Sequence, residues 1–402
     1  MEKILMRIAL ICDDYLPDST RVSAKMMHEL ACELLEKGHE PIVICPCNKI
    51  QTLEILNLDG VVVYKFPNGA IKNVSKISRA INESMLSFNA WRFIGKYIRE
   101  TKIDGVVYYS PSIFFGKLAN KIKENWHCKS YLILRDSFPQ WLVDQGIIKE
   151  GGLAERYFRY FEQINYDAAD YIGLMSDRNK DIFINKYQNK YKVQTLFNWA
   201  DFKGIDNIPS ATLRSKLALQ NKVIFFYGGN IGHAQDMMNL MRLVRSASYR
   251  DDVHFLLIGQ GDEVSLVKQF IIDNSLKNCT YLPSITQSEF KSVLKIVDVG
   301  LFSLAKNHTV HNFPGKLLGY MANKLPILGS VNASNDVMEI INGAKAGFVF
   351  VNGNDEALLN AAINLADDTQ LRKNLGCNAY SLLQEKFSVE MAAEKILSSL
   401  FS

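Results

Sequence analysis

The chain has 402 residues, of which 48% are hydrophobic and 22% are charged, and its formal net charge is +4. This length and composition predict two or three globular domains and exclude a disordered chain or a coiled coil. The charge is also balanced, with 46 Lys and Arg against 42 Asp and Glu. A nucleic-acid-binding protein usually has a much larger basic excess, so no nucleic-acid partner is expected.

Two further features of the sequence indicate a cytoplasmic protein. No apolar run approaches the roughly 18–20 residues of a membrane-spanning helix, and acidic residues follow the first apolar segment where a signal peptide would have a cleavage site. The seven cysteines are an odd number, and Cys12, Cys32 and Cys45 lie in apolar patterns. Reduced thiols are therefore expected. Cys45 and Cys47 have no second pair at metal-ligand spacing, so no metal site is predicted.

Short apolar strands alternate with helical patterns along the whole chain. RIALICDD, PIVICP, GVVVYKF, DGVVYYS, SYLILRD and DYIGLMS predict a first series of strands, and RVSAKMMHELACELLEKGH predicts a helix after the first of them. KVIFFYGG, VHFLLIG, CTYLPS, VGLFSL, LPILGS and AGFVFV predict a second series. Continuous apolar strands joined by helices are typical of parallel sheets covered on both faces. We therefore predict an α/β protein with two doubly wound, Rossmann-like domains, joined near residues 203–212.

Residues 72–124 form a basic segment, with ten Lys and Arg against four Asp and Glu. Apolar residues recur there at helical spacing beside basic ones: Ile77, Ile81, Phe88, Trp91 and Ile98 beside Arg79, Arg92, Lys96 and Arg99. One interpretation is a helix that packs on the sheet and has a solvated basic face. The other is a surface that rests on anionic lipid, with Phe88 and Trp91 inserted, or that receives a polyanionic acceptor.

Three loops that follow strands of the second series favour an anion. In KVIFFYGGNIG a strand runs into a glycine turn, where backbone N–H groups and a following helix would attract phosphate. HFLLIGQGDE has Gly259 and Gly261 at the end of the next strand. In HTVHNFPGKLLGY, Asn312 is expected to cap a helix with Lys316 in its first turn. A lysine there opposes the helix dipole, which predicts a bound anion nearby; an incidental exposed lysine is the alternative. His308 and His311 flank this loop without a third ligand at metal spacing.

These loops predict a nucleotide beyond the carboxyl ends of the strands, and the order of elements resembles the retaining glycosyltransferases of family four, which have a GT-B fold. The resemblance covers nearly the whole chain, from GHE-PIVICP through FYGGNIG and LIGQGDE to FPGKLLGYMANKLPILGS. These segments are similar to bacterial transferases of O-antigen, capsule and colanic-acid assembly, and among them to N-acetyl-L-fucosamine transferases. The resemblance implies an acceptor-side domain over 1–205 and a donor domain over 206–387, facing across a cleft. It also implies a C-terminal helix, 388–402, that packs back on the first domain.

The resemblance also implies a donor site. Its residues are Ser19, Thr20, Arg21, Gly229, Asn230, Gly232, Gln235, Gly259, Gly261, Tyr281, Leu282, Pro283, His311, Asn312, Phe313, Gly315, Lys316 and Leu317. Uracil would lie near Tyr281–Pro283 and the diphosphate near the glycine turn and Lys316. The chain departs from the family at four positions. The usual Arg and Lys are replaced by Asn230 and Gln235, and the usual two Glu correspond to His311 and Gly319. Lys316 is therefore expected to supply the diphosphate cation.

The first domain departs from the family as well. Ser19, Thr20 and Arg21 stand where the family has a glycine-rich loop, either as phosphate partners or as a helix cap with a surface arginine. LILRDSFPQW resembles the family's acceptor-facing His/Asp-Pro loop, with Arg135 in place of His. Asp136 and Pro139 match, and Asn198 and Asp201 match an Asn-x-x-Asp pattern. Arg135, Asp136 and Lys316 are the expected catalytic residues. Asp136 would accept a proton or orient a hydroxyl; a structural ion pair with Arg135 is the alternative.

The implied activity is transfer of a sugar, expected to be N-acetyl-L-fucosamine, from a UDP-sugar to a polyprenyl-diphosphate-linked saccharide. Retention of configuration is implied by the family, and no metal or other cofactor is expected. The protein would act from the cytoplasm on the anionic cytosolic face of the inner membrane. Two alternatives remain. One is a UDP-sugar epimerase of the same fold, and the other is a non-catalytic nucleotide-sugar-binding or lipid-binding subunit, favoured by the missing Arg, Lys and Glu residues.

Overall fold

Two mainly parallel sheets organise the chain, as the alternation of strands and helices predicts. The computed structural model describes residues 5–19, 21–72, 74–136, 138–144, 146–200, 211–306, 313–333 and 335–402. The first unit comprises Met1–Ala200 with Val389–Ser402, and the second comprises Asp201–Ser388. The predicted joint near 203–212 falls mostly on 201–210, outside the described residues. The α/β class with two doubly wound parallel-sheet domains is confirmed.

The first unit contains an eight-stranded sheet in the order β3-β4-β2-β1-β5-β6-β7-β8. Its strands are β1 (Arg7–Ile11), β2 (Glu40–Cys47), β3 (Glu54–Leu58), β4 (Val61–Pro67), β5 (Gly105–Ser110), β6 (Lys129–Leu134), β7 (Tyr171–Leu174) and β8 (Val193–Thr195). The paired strands are parallel except for β3 and β4. The central strands β1 and β5 are buried along nearly their whole length, which explains their continuous apolar sequences.

The β3–β4 hairpin at one edge of this sheet was missed by the sequence analysis, which predicted only the strand GVVVYKF. Asp59 and Gly60 connect the two strands with positive φ angles of 51° and 86°. The side-chain oxygen of Asn57 accepts a hydrogen bond from the Gly60 N–H at 2.9 Å. An Asp-Gly pair between apolar segments is a hairpin signal, so the sequence did contain the information.

Helices cover both faces of the first sheet. They are α1 (Val22–Glu36), α2 (Lys76–Ser84), α3 (Leu86–Glu100), α4 (Gly116–Trp126), α5 (Gln140–Asp144), α6 (Leu153–Asp167), α7 (Asp177–Tyr187) and, from the end of the chain, α16 (Val389–Phe401). The core on one face joins α1 and α16 to the strands. The core on the other face contains apolar residues of α3, α4, α6 and α7. Both faces are therefore buried.

The last helix contributes a full apolar face to the first unit. Its buried residues in the core with α1 are Val389, Ala392, Ala393, Ile396 and Leu400. Polar contacts reinforce this packing: Lys37 donates to Glu394 at 3.1 Å, and Lys395 donates to the Thr195 carbonyl at 2.7 Å. The first unit is therefore built from two segments that are far apart in the sequence.

The second unit has a six-stranded parallel sheet in the order β11-β10-β9-β12-β13-β14. Its strands are β9 (Val223–Asn230), β10 (Val253–Gln260), β11 (Cys279–Leu282), β12 (Val299–Ser303), β13 (Ile327–Val331) and β14 (Gly347–Val351). Its helices are α8 (Ala211–Lys216), α9 (Met237–Ser246), α10 (Val264–Asp273), α11 (Gln287–Leu294), α12 (Gly315–Ala322), α13 (Asp336–Gly343), α14 (Asp355–Asp367) and α15 (Thr369–Leu382). The strand order reverses between β9 and β12. In open α/β sheets this switch point is where ligands bind.

The basic segment differs from its expected form as one continuous helix. The chain breaks at Met85 into α2 and α3. Of the predicted apolar stripe, Ile98 is buried and Trp91 is half-buried, whereas Ile77, Ile81 and Phe88 are exposed. The core side of α3 instead consists of Leu86, Ser87, Ala90, Ile94, Gly95 and Ile98. The predicted packing stripe is therefore wrong over α2, which buries none of its residues.

Candidate functional site

Lys316 lies at the start of α12, beside the switch point of the second sheet. Its ammonium nitrogen is 3.6 Å from the centre of the Tyr227 ring, on β9. This nitrogen is buried and has no hydrogen-bond partner. Burial lowers the pKa of Lys316 from 10.5 to about 7. Among the described residues, the ammonium therefore contacts the face of an aromatic ring, which attracts a cation but accepts no strong hydrogen bond.

Among the described residues, no side chain caps the start of α12 beside Lys316. Pro314 occupies the N-cap position and has no side-chain oxygen to accept the first N–H groups. A side chain added at Gly315 would meet no atom within 4 Å. A side chain added at Gly229 would lie 3.6 Å from the Lys316 ammonium. The glycine turn, the start of α12 and the lysine thus lie next to one another, and a helix N-terminus and a lysine both favour an anion.

Asn230 and Gln235 stand where the resembling family has two cations, and they bond to each other. The Asn230 amide donates to the Gln235 side-chain oxygen at 2.7 Å. Tyr227 donates its hydroxyl to the Asn230 carbonyl, which fixes the same turn. This neutral pair carries no charge for a diphosphate. Lys316 is a cation that lies beside this turn, against Gly229.

Gly259 and Gly261 stand where neighbouring backbone leaves no room for a side chain. A side chain at Gly259 would lie 1.8 Å from the Gly229 carbonyl oxygen, and one at Gly261 would lie 2.2 Å from that of Ile231. Glycine thus lets the ends of β9 and β10 approach closely. Tyr281 donates its hydroxyl to the Gly259 carbonyl at 3.0 Å, so the start of the Tyr281–Pro283 segment is tied to this pair of strands.

Several residues of the predicted donor site are packed against other side chains and do not line an open surface. Phe313 and Leu317 are core residues, and the Phe313 ring packs on Phe387 with centroids 4.3 Å apart. A side chain at Gly319 would lie 3.3 Å from a methyl of Leu294 on α11, so this position faces an apolar side chain. His308, His311 and the expected cap Asn312 lie outside the described residues. The helix has Pro314 at its cap position, so the expected N-terminus is corrected by two residues.

A contact between a histidine and two carboxyl groups beside the glycine turn was not predicted. His233 contacts Glu263 at 2.8 Å and Asp262 at 3.4 Å. Glu263 also accepts the Met237 N–H at 3.3 Å, at the start of α9. The sequence did contain a signal for this contact, since Asp262 and Glu263 directly follow β10. The carboxyl ends of the neighbouring parallel strands β9 and β10 meet at one edge of the sheet.

In the first unit, the loop after β1 is organised by carboxylates that the sequence analysis did not single out. Asp14 accepts from the Ser19 hydroxyl at 2.7 Å and from Lys72 at 2.5 Å, and Arg21 lies 3.8 Å away. Thr20 lies outside the described residues. A cavity of about 150 Å³ adjoins this loop and is lined in part by Asp13, Asp14 and Lys72. A phosphate at Ser19 would have to displace the contact with Asp14.

Arg135 and Asp136 follow β6 at the carboxyl edge of the same sheet. Asp136 is exposed, but the nearby protein partly desolvates its carboxyl group and so raises its pKa. The charge of Arg135 opposes this rise. Arg135 is 5% exposed and donates to the Phe197 carbonyl at 3.3 Å. Within the described ranges, no carboxylate lies within 4.0 Å of this guanidinium, so the alternative of a structural ion pair with Asp136 is not observed. Asn198 has a buried side-chain oxygen without a partner, and Asp201 lies outside the described residues.

The exposed side of α2 forms an apolar surface with basic neighbours, here called the α2 surface. Ile77 and Ile81 are 75% and 59% exposed, and they border a groove together with Lys76, Met85 and Tyr157. Trp91 does not belong to this surface. The cations of Lys121 and Arg99 lie 5.0 and 5.5 Å from its ring. Among the described helices, none is long and apolar enough to cross a bilayer.

The described part of the chain has no group of three or more His, Cys, Asp or Glu side chains arranged to hold a metal ion. The strongest unsatisfied charges are instead two cations, Lys316 in the second unit and Arg135 in the first. Both lie near the carboxyl ends of parallel strands, the edge at which ligands bind in open α/β folds.

Comparison with known proteins finds one family model that matches most of the second unit. The family model "Glycosyl transferases group 1" matches residues 210–382. These residues are less than half of the chain. The match includes the glycine turn and α12, so the features around Lys316 lie within the matched residues.

Two relatives and one solved structure extend the comparison beyond the residues that the family model matches. "Probable glycosyltransferase WbjE" of Pseudomonas aeruginosa is 24% identical over 66% of this chain and 66% of its own length, just under two thirds. "Putative colanic acid biosynthesis glycosyl transferase WcaI" of Escherichia coli K12 is 22% identical over 79% of this chain and 81% of its own. The structure of Anabaena Alr3699/HepE in complex with UDP and glucose has a TM-score of 0.65 at 14% identity, covering 98% of this chain and 99% of that one. The last similarity shows the shared fold.

Proposed function

We propose that this protein transfers a sugar from a UDP-sugar to a saccharide acceptor. The observation that carries the proposal is the buried, unpartnered ammonium of Lys316 beside the glycine turn and the open start of α12. A buried cation without a partner costs free energy in the free protein, and a bound anion would offset this cost. Two findings support a nucleotide diphosphate as that anion. Residues 210–382 match the group 1 glycosyltransferase model, and the similar Anabaena protein was solved in complex with UDP.

In the proposed reaction the bond between the anomeric carbon and the diphosphate breaks, and negative charge grows on the departing UDP. The Lys316 ammonium and the free N–H groups at the start of α12 would stabilise that charge. These groups are fixed before the reaction, so little reorganisation is needed. We propose that they act without a metal cofactor, and that configuration is retained as in the family that the sequence resembles. Uracil would lie at the Tyr281–Pro283 segment.

Asp136 is our candidate for the acceptor side. Its carboxylate is exposed, and a pKa above the ordinary value makes it a better proton acceptor than a free aspartate. We propose that it orients the attacking hydroxyl of the acceptor and takes its proton. An epimerase would have no use for an acceptor-binding group.

The acceptor is proposed to be a polyprenyl-diphosphate-linked saccharide at the anionic cytosolic face of the inner membrane. The colanic-acid name of one relative supports a surface polysaccharide, and the α2 surface supports contact with lipid, since it combines exposed Ile77 and Ile81 with Lys76. N-acetyl-L-fucosamine as the sugar rests on the sequence resemblance alone.

The proposal is tested by thermal unfolding with UDP and a panel of UDP-sugars. A ligand at 100 times its dissociation constant adds about 2.7 kcal/mol of stability, which raises the melting temperature measurably. Lys316→Met keeps the length and packing of the side chain and removes the charge, so it should lose this stabilisation. The stabilising donor is then incubated with extracted lipid-linked acceptors, and UDP release is measured. Equal UDP stabilisation of parent and Lys316→Met would contradict the assigned site, and donor binding without any transfer would favour a non-catalytic subunit.

A further inference from the structure

Arg135 is a second buried cation whose hydrogen-bonding capacity is largely unused. Its Nε and Nη1 atoms are buried and have no hydrogen-bond partner. Nη2 donates to the Phe197 carbonyl at 3.3 Å, and the guanidinium carbon lies 5.6 Å from the centre of the Trp199 ring. A guanidinium has five N–H donors in a fixed plane, so most of its donors are unsatisfied here.

This arrangement is costly for a residue with only a structural role. Leaving a charged donor buried and unpaired costs several times more than an average hydrogen bond contributes. An arginine stays protonated even where burial lowers its pKa, as it does for Arg135. The protein cannot remove the cost by neutralising the side chain, as it can with a lysine. A ligand that supplies acceptor oxygens would remove it.

The surroundings of Arg135 belong to the acceptor side of the proposed reaction. The residue follows β6 directly, and the next residue, Asp136, is exposed, so the chain reaches the surface within one position. Tyr109, on β5, is close enough for the guanidinium charge to lower the pKa of its hydroxyl, although burial raises that pKa to about 12. The Asn198 side-chain oxygen, next to the carbonyl that Arg135 contacts, is also buried and unpartnered. Unused donors and an unused acceptor thus lie in neighbouring segments.

We infer that Arg135 binds an oxyanion carried by the acceptor, either the carboxylate of an acidic sugar or a phosphate. This inference rests on the proposed function and specifies the chemistry of its acceptor. The planar guanidinium matches both anions, because each presents two oxygens to two parallel N–H groups. The side-chain oxygen of Asn198 would then accept a hydrogen bond from a hydroxyl group of the same ligand. An anionic acceptor would be held with its hydroxyls near Asp136.

The test uses small probes that require no turnover: sodium glucuronate, inorganic phosphate and, as the neutral match of glucuronate, glucose. Each is titrated into the full chain carrying Lys316→Met, so that the other buried cation does not contribute. Binding is followed by the ¹H–¹⁵N signals of arginine Nε, with the Arg135 signal assigned by its disappearance in Arg135→Lys. We expect glucuronate or phosphate, but not glucose, to shift this signal. The anion that binds more tightly identifies the source as a sugar carboxylate or a phosphate.

Arg135→Lys keeps a cation but loses the planar fork, and Arg135→Gln loses the charge. Both variants lack the Arg135 signal, so their anion affinity is measured by calorimetry and compared with that of the parent. Both should weaken anion binding by roughly 10- to 100-fold, the scale of losing a charged hydrogen-bonding partner. If neither anion shifts the Arg135 signal, or if the two variants bind it as the parent does, the inference is wrong and Arg135 only supports the 197–199 segment. UDP stabilisation of the unmodified chain is measured in parallel. Its loss would contradict the proposed function, whereas its persistence without anion binding would contradict this inference alone.

Discussion

In the second unit, the proposed chemistry depends on one residue, Lys316, and burial lowers the pKa of its ammonium to about 7. Burial is the cause, and the nearby Tyr227 ring offsets only part of the lost hydration. An anion bound beside the ammonium would favour the protonated form. Donor binding and proton binding are therefore coupled at this residue.

We predict that UDP binding takes up close to one proton per chain at pH 8, because the free lysine is mostly neutral there and the occupied one is charged. Affinity should fall as the pH rises above about 7, and it should be nearly constant below that value as far as Lys316 is concerned. The measurement is calorimetry at pH 8 in buffers of different ionisation enthalpy, with Lys316→Met as the control. Proton uptake that is equal in parent and variant would assign the effect to another group.

The same residue makes the stability of the ligand-free protein depend on pH. Between about pH 7 and the ordinary lysine pKa of 10.5, the folded state holds fewer protons at Lys316 than the unfolded state does. The contribution of this residue to stability therefore increases with pH across that window. Lys316→Met should show no such contribution, which chemical denaturation at pH 7 and pH 9 would reveal.

Sequence reasoning identified Lys316 because a lysine in the first turn of a helix is unfavourable without an anion. It could not show that the ammonium would lie on Tyr227, since that residue ends a strand far earlier in the chain. It likewise could not show that Asn230 and Gln235 bond to each other, because the turn between them sets their geometry. The sequence also could not show that most N–H groups of Arg135 are unpartnered, because an ion pair with the adjacent Asp136 was an equally good interpretation.

At the scale of elements, helix α2 is the clearest departure from expectation. Continuous helical periodicity from Ile77 to Ile98 concealed the break at Met85. Periodicity shows which residues share a face but not which face meets the sheet. The strands were predicted well because β1, β5, β9 and β10 are apolar along most of their length, as only strands buried on both faces are. The edge strand β3 lacks that signature because most of it is exposed.

We predict that the double variant Ile77→Ser with Ile81→Ser weakens binding of the protein to vesicles of mixed neutral and anionic lipid by roughly 10-fold or more, the scale of losing two inserted aliphatic side chains. Both residues are exposed, so folding should be unaffected. The matched control is Ile272→Ser, which removes an isoleucine that is 69% exposed on α10 of the second unit. Vesicle flotation measures the effect.

Charge reversal completes this experiment. Changing Arg92, Lys96 and Arg99 to Glu should release the protein from anionic vesicles as well, since each nearby basic residue contributes about 1 kcal/mol at low salt. If the Ile77/Ile81 variant binds as tightly as the parent, the α2 surface does not contact lipid. If the parent binds neutral and anionic vesicles equally, the basic segment is a solvated face.

At the scale of the whole chain, the first unit depends on residues from both ends. Five buried side chains of α16 pack with α1 and the strands in one core. Ile396→Ala should cost about 2–5 kcal/mol, the usual range for truncating a fully buried isoleucine to alanine. The loss should appear in hydrogen exchange as reduced protection of β1 and β5, although these strands are distant from Ile396 in sequence. The exposed Met391, changed to Ala, is the control on the same helix. Equal protection in Ile396→Ala and the parent would contradict a shared core.

The two-segment construction of the first unit also bears on how the chain is made. A ribosome delivers residues in order, and domains near the start of a chain normally fold first, while the rest is still being synthesised. Here the first 200 residues emerge early but lack the helix that closes one face of their core. The second unit has all of its own residues before that helix is translated. The part of the protein that begins first is therefore completed last, and until α16 has been synthesised the apolar face of α1 that it covers lacks this partner.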